Sequence, residues 1–433
     1  MQRLLMKELI KWKEKENKNP LIVKGVRQCG KTYLLKEFGE KNYVDVAYFN
    51  FEANRSLSTI FEQDLDIKRI IIELGVIRGK AIDSCNTLII FDEIQYCNEA
   101  LTSLKYFSEN TEKYDVVSAG SLLGIALSRP LSFPVGKVDF LTLRPMNMLE
   151  FIIANGANME AEYILGLEKM DKISIAINDK MSTLLRIYYV TGGMPEVVSE
   201  WIRTKDIKKV EVIQQKILDS YELDFAKHAP AKEFPKLSAI WRAIPDQLAK
   251  ENSKFIFSQV KSGSRAKDLE DSLEWLISAG LVYKVCKIEK PFMPLSAYAD
   301  QTFFKLYMAD IGLLRKMANL DASSILYGGE KYKEFKGALV ENYALCELIN
   351  LQNRALYYWK SKNTAEVDFI TQFGNHIVPI EVKSEKNDRA KSLAVYRKLY
   401  EPDVSVIASM NLLSGIGIRN IPLWLIGRMG DLI

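Results

Sequence analysis

The sequence predicts an α/β protein with a parallel sheet in its N-terminal part, a mainly helical middle region and a second α/β domain at the C-terminal end. Three observations predict it. A glycine-rich loop stands between a short apolar strand and a helix, and a second apolar strand ends in two carboxylates. Close to the C-terminal end, a strand–turn–strand segment carries two carboxylates and a lysine inside otherwise apolar runs.

The chain has 433 residues, enough for two or three domains. Hydrophobic residues make up 48% and charged residues 26%, a globular composition that argues against a disordered or fibrous chain. A net charge of +4 neither requires nor excludes nucleic acid, because a local basic groove would hardly register in the total. The cysteines, Cys29, Cys85, Cys97, Cys286 and Cys346, are scattered, with no CxxC spacing, so a reduced, cytoplasmic protein without structural zinc is expected. No apolar run reaches the length of a membrane span, and the N-terminal stretch mixes Lys and Glu as signal peptides do not. Leu4, Leu5, Leu9, Ile10 and Trp12 instead predict a short amphipathic helix packed on the first domain.

Leu21, Ile22 and Val23 form the first strand, and the residues from Gly25 to Thr32 fit G-x-x-x-x-G-K-S/T. Leu34, Leu35 and Phe38 then follow at helical spacing. In such a phosphate loop, the backbone of Gly25, Val26, Arg27, Gln28, Cys29 and Gly30 wraps the phosphates of ATP. Lys31 adds a cation and Thr32 offers a hydroxyl to Mg²⁺. Cys29 is expected to contribute only its backbone, although alkylating its thiol would block the loop sterically.

The residues from Thr87 to Phe91 read as a buried parallel strand, and ligands in open α/β sheets bind at the C-terminal ends of strands. Asp92 is therefore placed as a Mg²⁺ partner and Glu93 as the carboxylate that polarises the attacking water. A helix N-cap is the alternative role for this Asp. A third strand, from Asp115 to Ala119, leads into AGSLLG.

GVRQCGKT, FDEIQ, AGSLLGIAL, SFPVGKV and LRPMNMLEF, in that order, resemble a prokaryotic family of AAA-type P-loop ATPases. Its members carry a C-terminal domain related to the PD-(D/E)XK nucleases. The likeness continues through VTGGMPEVV to GALVEN, YYWKS, AEVDFI and PIEVKS, most of the chain. It implies that Ser121 touches the γ-phosphate or the water, with a plain strand-to-helix turn as the alternative. Arg129 and Arg144 are the nearest downstream arginines, each open as an arginine finger or as an ordinary solvated side chain.

From about residue 161 to 319 the pattern is mainly helical. The resemblance would make VTGGMPEVV part of a helical lid near the nucleotide. Leu269, Leu273, Leu276 and Ile277 share one helix face; Gly280 breaks the helix, and two strand-like runs flank CKIEKPFMP. That order predicts a winged helix, with Lys261, Arg265 and Lys267 near the helix start as candidate phosphate contacts.

In the C-terminal segment, period two places Glu381 and Lys383 on one strand face, with Asp368 opposite on the preceding strand. Glu341 sits in the apolar stripe of a helix, where a carboxylate must be paired or bound to metal. Glu341, Asp368 and Glu381 are thus predicted to hold Mg²⁺ or Mn²⁺, and Lys383 to orient the water or neutralise charge during phosphodiester cleavage. An internal salt bridge is the alternative. The element order resembles the PD-(D/E)XK core. Expected domains are 1–160 (AAA-like ATPase), 161–325 (helical lid and winged helix) and 326–433 (nuclease-like). ATP and DNA are the expected partners, no membrane is involved, and a homo-oligomer or protein partner is left open. A nucleotide-dependent switch with an inactive nuclease-like domain is the alternative function.

Overall fold

The computed structural model describes residues 1–120, 136–169, 171–250, 254–260, 263, 265–327, 333–352, 355–362, 364–385 and 390–433. Ser121, Arg129 and Lys261 lie outside them, as do the side chains of residues 333, 334 and 352. The chain forms two compact units, Met1–Arg144 with Ser278–Gly280, and Pro145–Ile277 with Leu281–Ile433.

The first unit is built on five strands: β1 (Leu21–Lys24), β2 (Asp45–Asn50), β3 (Thr87–Asp92), β4 (Asp115–Ala119) and β5 (Asp139–Thr142). They form a parallel sheet in the order β2-β3-β4-β1-β5. Every residue of β3 is buried, as an inner parallel strand covered on both faces requires. Phe91 on this strand meets Phe51, Phe61 and Phe107 edge-on, with centroids 5.7 to 6.0 Å apart. The N-terminal helix, Leu5–Lys13, buries Leu9 and Trp12, and the Trp12 indole donates to Asn19 O at 2.9 Å.

The second unit begins with helices, the longer ones being Ile175–Thr191, Ile207–His228, Phe234–Leu248 and Ala266–Ser278. Seven strands follow: β6 (Val282–Ile288), β7 (Ala299–Met308), β8 (Tyr357–Lys360), β9 (Glu366–Phe373), β10 (His376–Val382), β11 (Ser405–Ser409) and β12 (Ile418–Pro422). Their order in one mixed sheet is β12-β11-β10-β9-β8-β6-β7.

This topology joins the hairpin of the expected winged helix to the C-terminal sheet. The helix Ala266–Ser278 and the two strands after it exist, but β6 also pairs with β8 in parallel, Cys286 opposite Tyr357 and Ile288 opposite Trp359. The hairpin is therefore the edge of the C-terminal sheet. Its buried Val282, Val285, Ile288, Phe304 and Leu306 explain why it does not stand alone as a wing. The helical region is also hydrogen-bonded to helices of the C-terminal segment. Trp424 donates to Asn178 Oδ1 at 2.9 Å, and Met148 N donates to Glu347 Oε1 at 2.8 Å. Gly192 and Gly193, expected beside the nucleotide, are held within this second unit. Gly193 N donates to Asp310 Oδ2 at 2.6 Å, and a Cβ on Gly193 would come within 2.0 Å of Met146 O.

Candidate functional site

The loop from Gly25 to Gly30 leaves the end of β1 and enters the helix Lys31–Asn42 through Gly30, which has φ +94°. Gln28 also takes positive φ, at 65°, so the chain turns sharply within the loop. Gly25 has another reason to be glycine: a Cβ there would lie 2.1 Å from Leu143 O. Lys31 is 5% exposed and its ammonium donates to Gly25 O and Val26 O, each at 2.8 Å. Cys29 is fully buried, with Sγ 3.5 Å from Leu143 O. Its burial shields the thiol from alkylating reagents.

Across from the loop, Asp92 ends β3 and is 1% exposed. Thr32 Oγ1 donates to Asp92 Oδ2 at 2.7 Å, and the same oxygen accepts from Tyr48 OH at 2.8 Å. Burial pushes the Tyr48 hydroxyl up to about 12, so it keeps its proton and serves as donor. Asp92 is not a helix cap; Glu93, in the left-handed region at φ 51°, precedes the short turn Ile94–Tyr96. A non-glycine residue held there is strained, and such strain gathers at functional positions. Gln95 donates to Glu93 Oε2 at 2.5 Å and so orients the carboxylate. A hydroxyl and a carboxylate at hydrogen-bond distance beside a phosphate loop fit the donor set of Mg²⁺. Sequence reading missed Tyr48 and Arg3; the latter's guanidinium is 6% exposed and donates to Cys29 O at 2.8 Å. Arg144 is partly buried in the same unit, with its carbonyl accepting from Arg3 at 2.6 Å.

The second unit gathers the C-terminal residues on one sheet face. Ile380 pairs with Phe369, so Asp368 and Glu381 follow one step along β9 and β10, opposite each other. Val382 N donates to Asp368 Oδ2 at 2.7 Å, and Lys383 Nζ to Glu381 Oε1 at 2.6 Å. Glu341, on the helix Lys333–Gln352, accepts from Lys305 Nζ at 2.8 Å and Tyr307 OH at 2.5 Å. Lys305 is 2% exposed and also reaches Glu366 at 2.7 Å, which Lys360 contacts at 3.1 Å. Burial alone would lower the Lys305 pKa; Glu341, Tyr307, Glu366 and Asp368 hold it well above its ordinary value, so it stays charged. Burial likewise opposes Glu366 ionisation, yet Lys305 and Lys360 keep this carboxyl below its usual range. Burial, Glu341 and Glu381 push Asp368 well above the usual carboxylate range. Burial also raises Glu381, against the pull of Lys383.

Of the predicted metal set, Glu341 lies near enough to Asp368 and Glu381 to help raise the pKa of both. Among the described residues no group of three or more His, Cys, Asp or Glu side chains is placed to hold a metal ion. Glu341 is paired with an ammonium from β7, and the partly buried helix carboxylate in turn supplies the counter-charge that the buried Lys305 needs. Asp368, Glu381 and Lys383 do come together. Lys305 and Tyr307 escaped the sequence reading, although the signal was there: a lysine inside the apolar run TFFKLYMA.

The first unit is therefore a P-loop nucleotide-binding domain. Its sequence agrees: residues 17–152 match the AAA domain. Residues 182–324 match a domain of unknown function (DUF8612), and residues 336–424 match another (DUF4143). No curated protein matches the chain. Among solved structures, a Walker-type ATPase of Pyrococcus abyssi is similar at 14% identity over 72% of this chain and 94% of that one, with TM-score 0.44. The ORC1 protein of Aeropyrum pernix, solved with DNA, is similar at 11% identity over 73% and 91%, with TM-score 0.30. Cdc6p of Pyrobaculum aerophilum gives 12% identity over 74% and 93%, with TM-score 0.24. Scores this low carry no argument about activity. No described helix is long and apolar enough to cross a membrane.

Proposed function

We propose that the protein is an ATPase that binds MgATP in the loop from Gly25 to Thr32 and uses Glu93 to polarise water. The observation that carries this reading is the Thr32–Asp92 hydrogen bond beside a buried Lys31. Lys31 now bonds two neutral carbonyls, and phosphate oxygens are stronger acceptors, so ATP takes the ammonium over. Thr32 and Asp92 are the residues that would hold Mg²⁺, which offsets phosphate charge when bound. Glu93, oriented by Gln95, accepts the water proton. Ser121 at the γ-phosphate, and Arg129 or Arg144 as an arginine finger, extend the same reading. Steady-state hydrolysis with Mg²⁺ and with EDTA tests it. Glu93→Gln should bind ATP normally and turn over about 10²-fold or more slowly; unchanged turnover would remove Glu93 from its role.

One observation favours a second activity. Glu381 Oε2 is buried with no hydrogen-bond partner among the described residues, and Asp368 faces it across the strands. An orphaned carboxylate oxygen beside a second carboxylate suits a hard divalent cation, with Asp368 and Glu381 as its protein ligands and Glu341, paired with Lys305, close by. Lys383 would stay off the metal and stabilise phosphate charge. The resemblance to PD-(D/E)XK nucleases supplies DNA as the substrate. Mn²⁺ should raise the thermal stability of the full-length protein, an increment that Asp368→Ala abolishes. Labelled single- and double-stranded DNA with Mn²⁺, with and without ATP, reports cleavage. No Mn²⁺ shift and no cleavage would leave an ATP-driven switch whose C-terminal domain only binds a partner.

A further inference from the structure

The phosphate loop is held from outside by a residue that the catalytic reading does not use. Arg3 precedes the N-terminal helix Leu5–Lys13 and is almost fully buried. One arm of its guanidinium donates to Cys29 O at 2.8 Å, one residue before Gly30 and two before Lys31. The other arm donates to Arg144 O at 2.6 Å. Two further contacts join the same two segments. Leu143 N donates to Lys24 O at 2.8 Å, directly before the loop, and Cys29 Sγ lies against Leu143 O at 3.5 Å. Gly25 then packs so closely on Leu143 O that no side chain fits. The loop backbone is thus fastened at Lys24, Gly25 and Cys29 to Leu143 and Arg144, the last residues of the first unit before the chain continues into Pro145.

From this geometry we infer that Arg3 is a positioning residue for nucleotide binding, setting the phosphate loop through the Cys29 carbonyl and coupling its state to the Leu143–Arg144 peptide. The inference rests on the ATP-binding reading above. The physical reason is the fork of a planar guanidinium. Its two donor arms have a fixed separation, so two carbonyls bound by it are held at a fixed distance from each other. An amide of the loop cannot turn toward a phosphate without moving its own carbonyl, because the peptide is planar. With the carbonyl of Cys29 fixed, the amide of Gly30 is fixed too, and the loop is preorganised rather than formed on binding. By linkage, whatever ATP does to the loop is then felt at Arg144 to the same degree that Arg144 restrains the loop. Arg3 touches neither phosphate nor water in this account, so its removal acts on affinity and leaves the chemical step alone.

Titration with a fluorescent ATP analogue in Mg²⁺, together with steady-state hydrolysis, tests the inference on the full chain. Arg3→Ala should weaken ATP binding at least tenfold, with kcat at saturation within threefold of wild type. Arg3→Lys should fall between them, because an ammonium serves the two carbonyls poorly at once. Hydrogen exchange supplies a readout that a merely structural role would not move. ATP should change exchange in the peptide covering residues 143–146 of the wild type, and this change should vanish in Arg3→Ala at saturating ATP. A folded Arg3→Ala with wild-type affinity, or with affinity intact and kcat reduced, overturns the inference. If Arg3→Ala does not fold, Arg3→Lys decides: wild-type affinity with an unaltered exchange response overturns it. Failure of the wild type to bind ATP would be a different result, sinking the nucleotide reading itself.

Discussion

Two buried lysines divide the molecule's chemistry between them. Lys31 in the first unit and Lys305 in the second are 5% and 2% exposed, yet they keep different company. Among the described residues, Lys31 bonds to the carbonyls of Gly25 and Val26, dipoles that a phosphate outcompetes. Lys305 is fixed between the carboxylates of Glu341 and Glu366, full charges that leave it no reason to move. Burial of a cation therefore does not by itself mark a binding site; what matters is whether its partners can be exchanged. A lysine on neutral acceptors is poised for an anionic ligand, whereas a lysine on two carboxylates is part of the fold.

The largest test of that difference is stability. Lys305→Met leaves Glu341 and Glu366 without their shared counter-ion, and breaking a buried pair costs about 3–5 kcal/mol. Denaturant unfolding of the full chain should register this loss, and ATP affinity in the first unit should not follow. A Lys305→Met protein as stable as wild type would mean that the lysine is dispensable to the fold.

A smaller effect is expected at Asp368 and depends on pH. Its folded pKa lies well above the unfolded value. Between the two, the folded state holds a proton that the unfolded state has lost, so this group's contribution to stability falls as pH rises through that interval. Asp368→Asn should thus gain on wild type as pH rises above about 4, the ordinary Asp value, when thermal melts are run without divalent metal. A constant difference from pH 4 to pH 8 would contradict the assigned electrostatics. Mn²⁺ should erase the Asn variant's advantage by stabilising only the wild type.

The smallest effect belongs to Cys29. Although it sits inside the phosphate loop, its thiol points away toward Leu143 and is fully buried. Cys29→Ala should hydrolyse ATP at nearly the wild-type rate and lose on the order of 1 kcal/mol of stability from the small void. An inactive but folded variant would show that the loop needs the thiol itself.

The two regions were also unequally legible in the sequence. The phosphate loop is a local device: Gly25, Gly30, Lys31 and Thr32 are neighbours in the chain, and their spacing alone encodes the turn. Asp92 was readable because an apolar run ending in Asp-Glu marks the end of a parallel strand. The C-terminal cluster depends on strand pairing across long separations. Glu381 and Lys383 were visible on one strand face, but Lys305 comes from β7, which reaches the cluster only through the order β9-β8-β6-β7. A free wing would leave Lys305 apart from Glu341; the sheet order instead brings the two within 2.8 Å. Arg3 left no trace, because nothing local distinguishes an arginine that clamps two distant carbonyls from a solvated one.

On the ATP-binding proposal, Lys31 is an exchangeable cation and Lys305 a fixed one. Calorimetric titration of ATP with Mg²⁺ into wild type, Lys31→Ala and Lys305→Met tests it most directly. The account predicts that Lys31→Ala loses at least 100-fold in affinity, about 2.7 kcal/mol, with its unfolding midpoint barely changed, while folded Lys305→Met binds as wild type does. ATP bound equally well by Lys31→Ala and wild type would contradict the account.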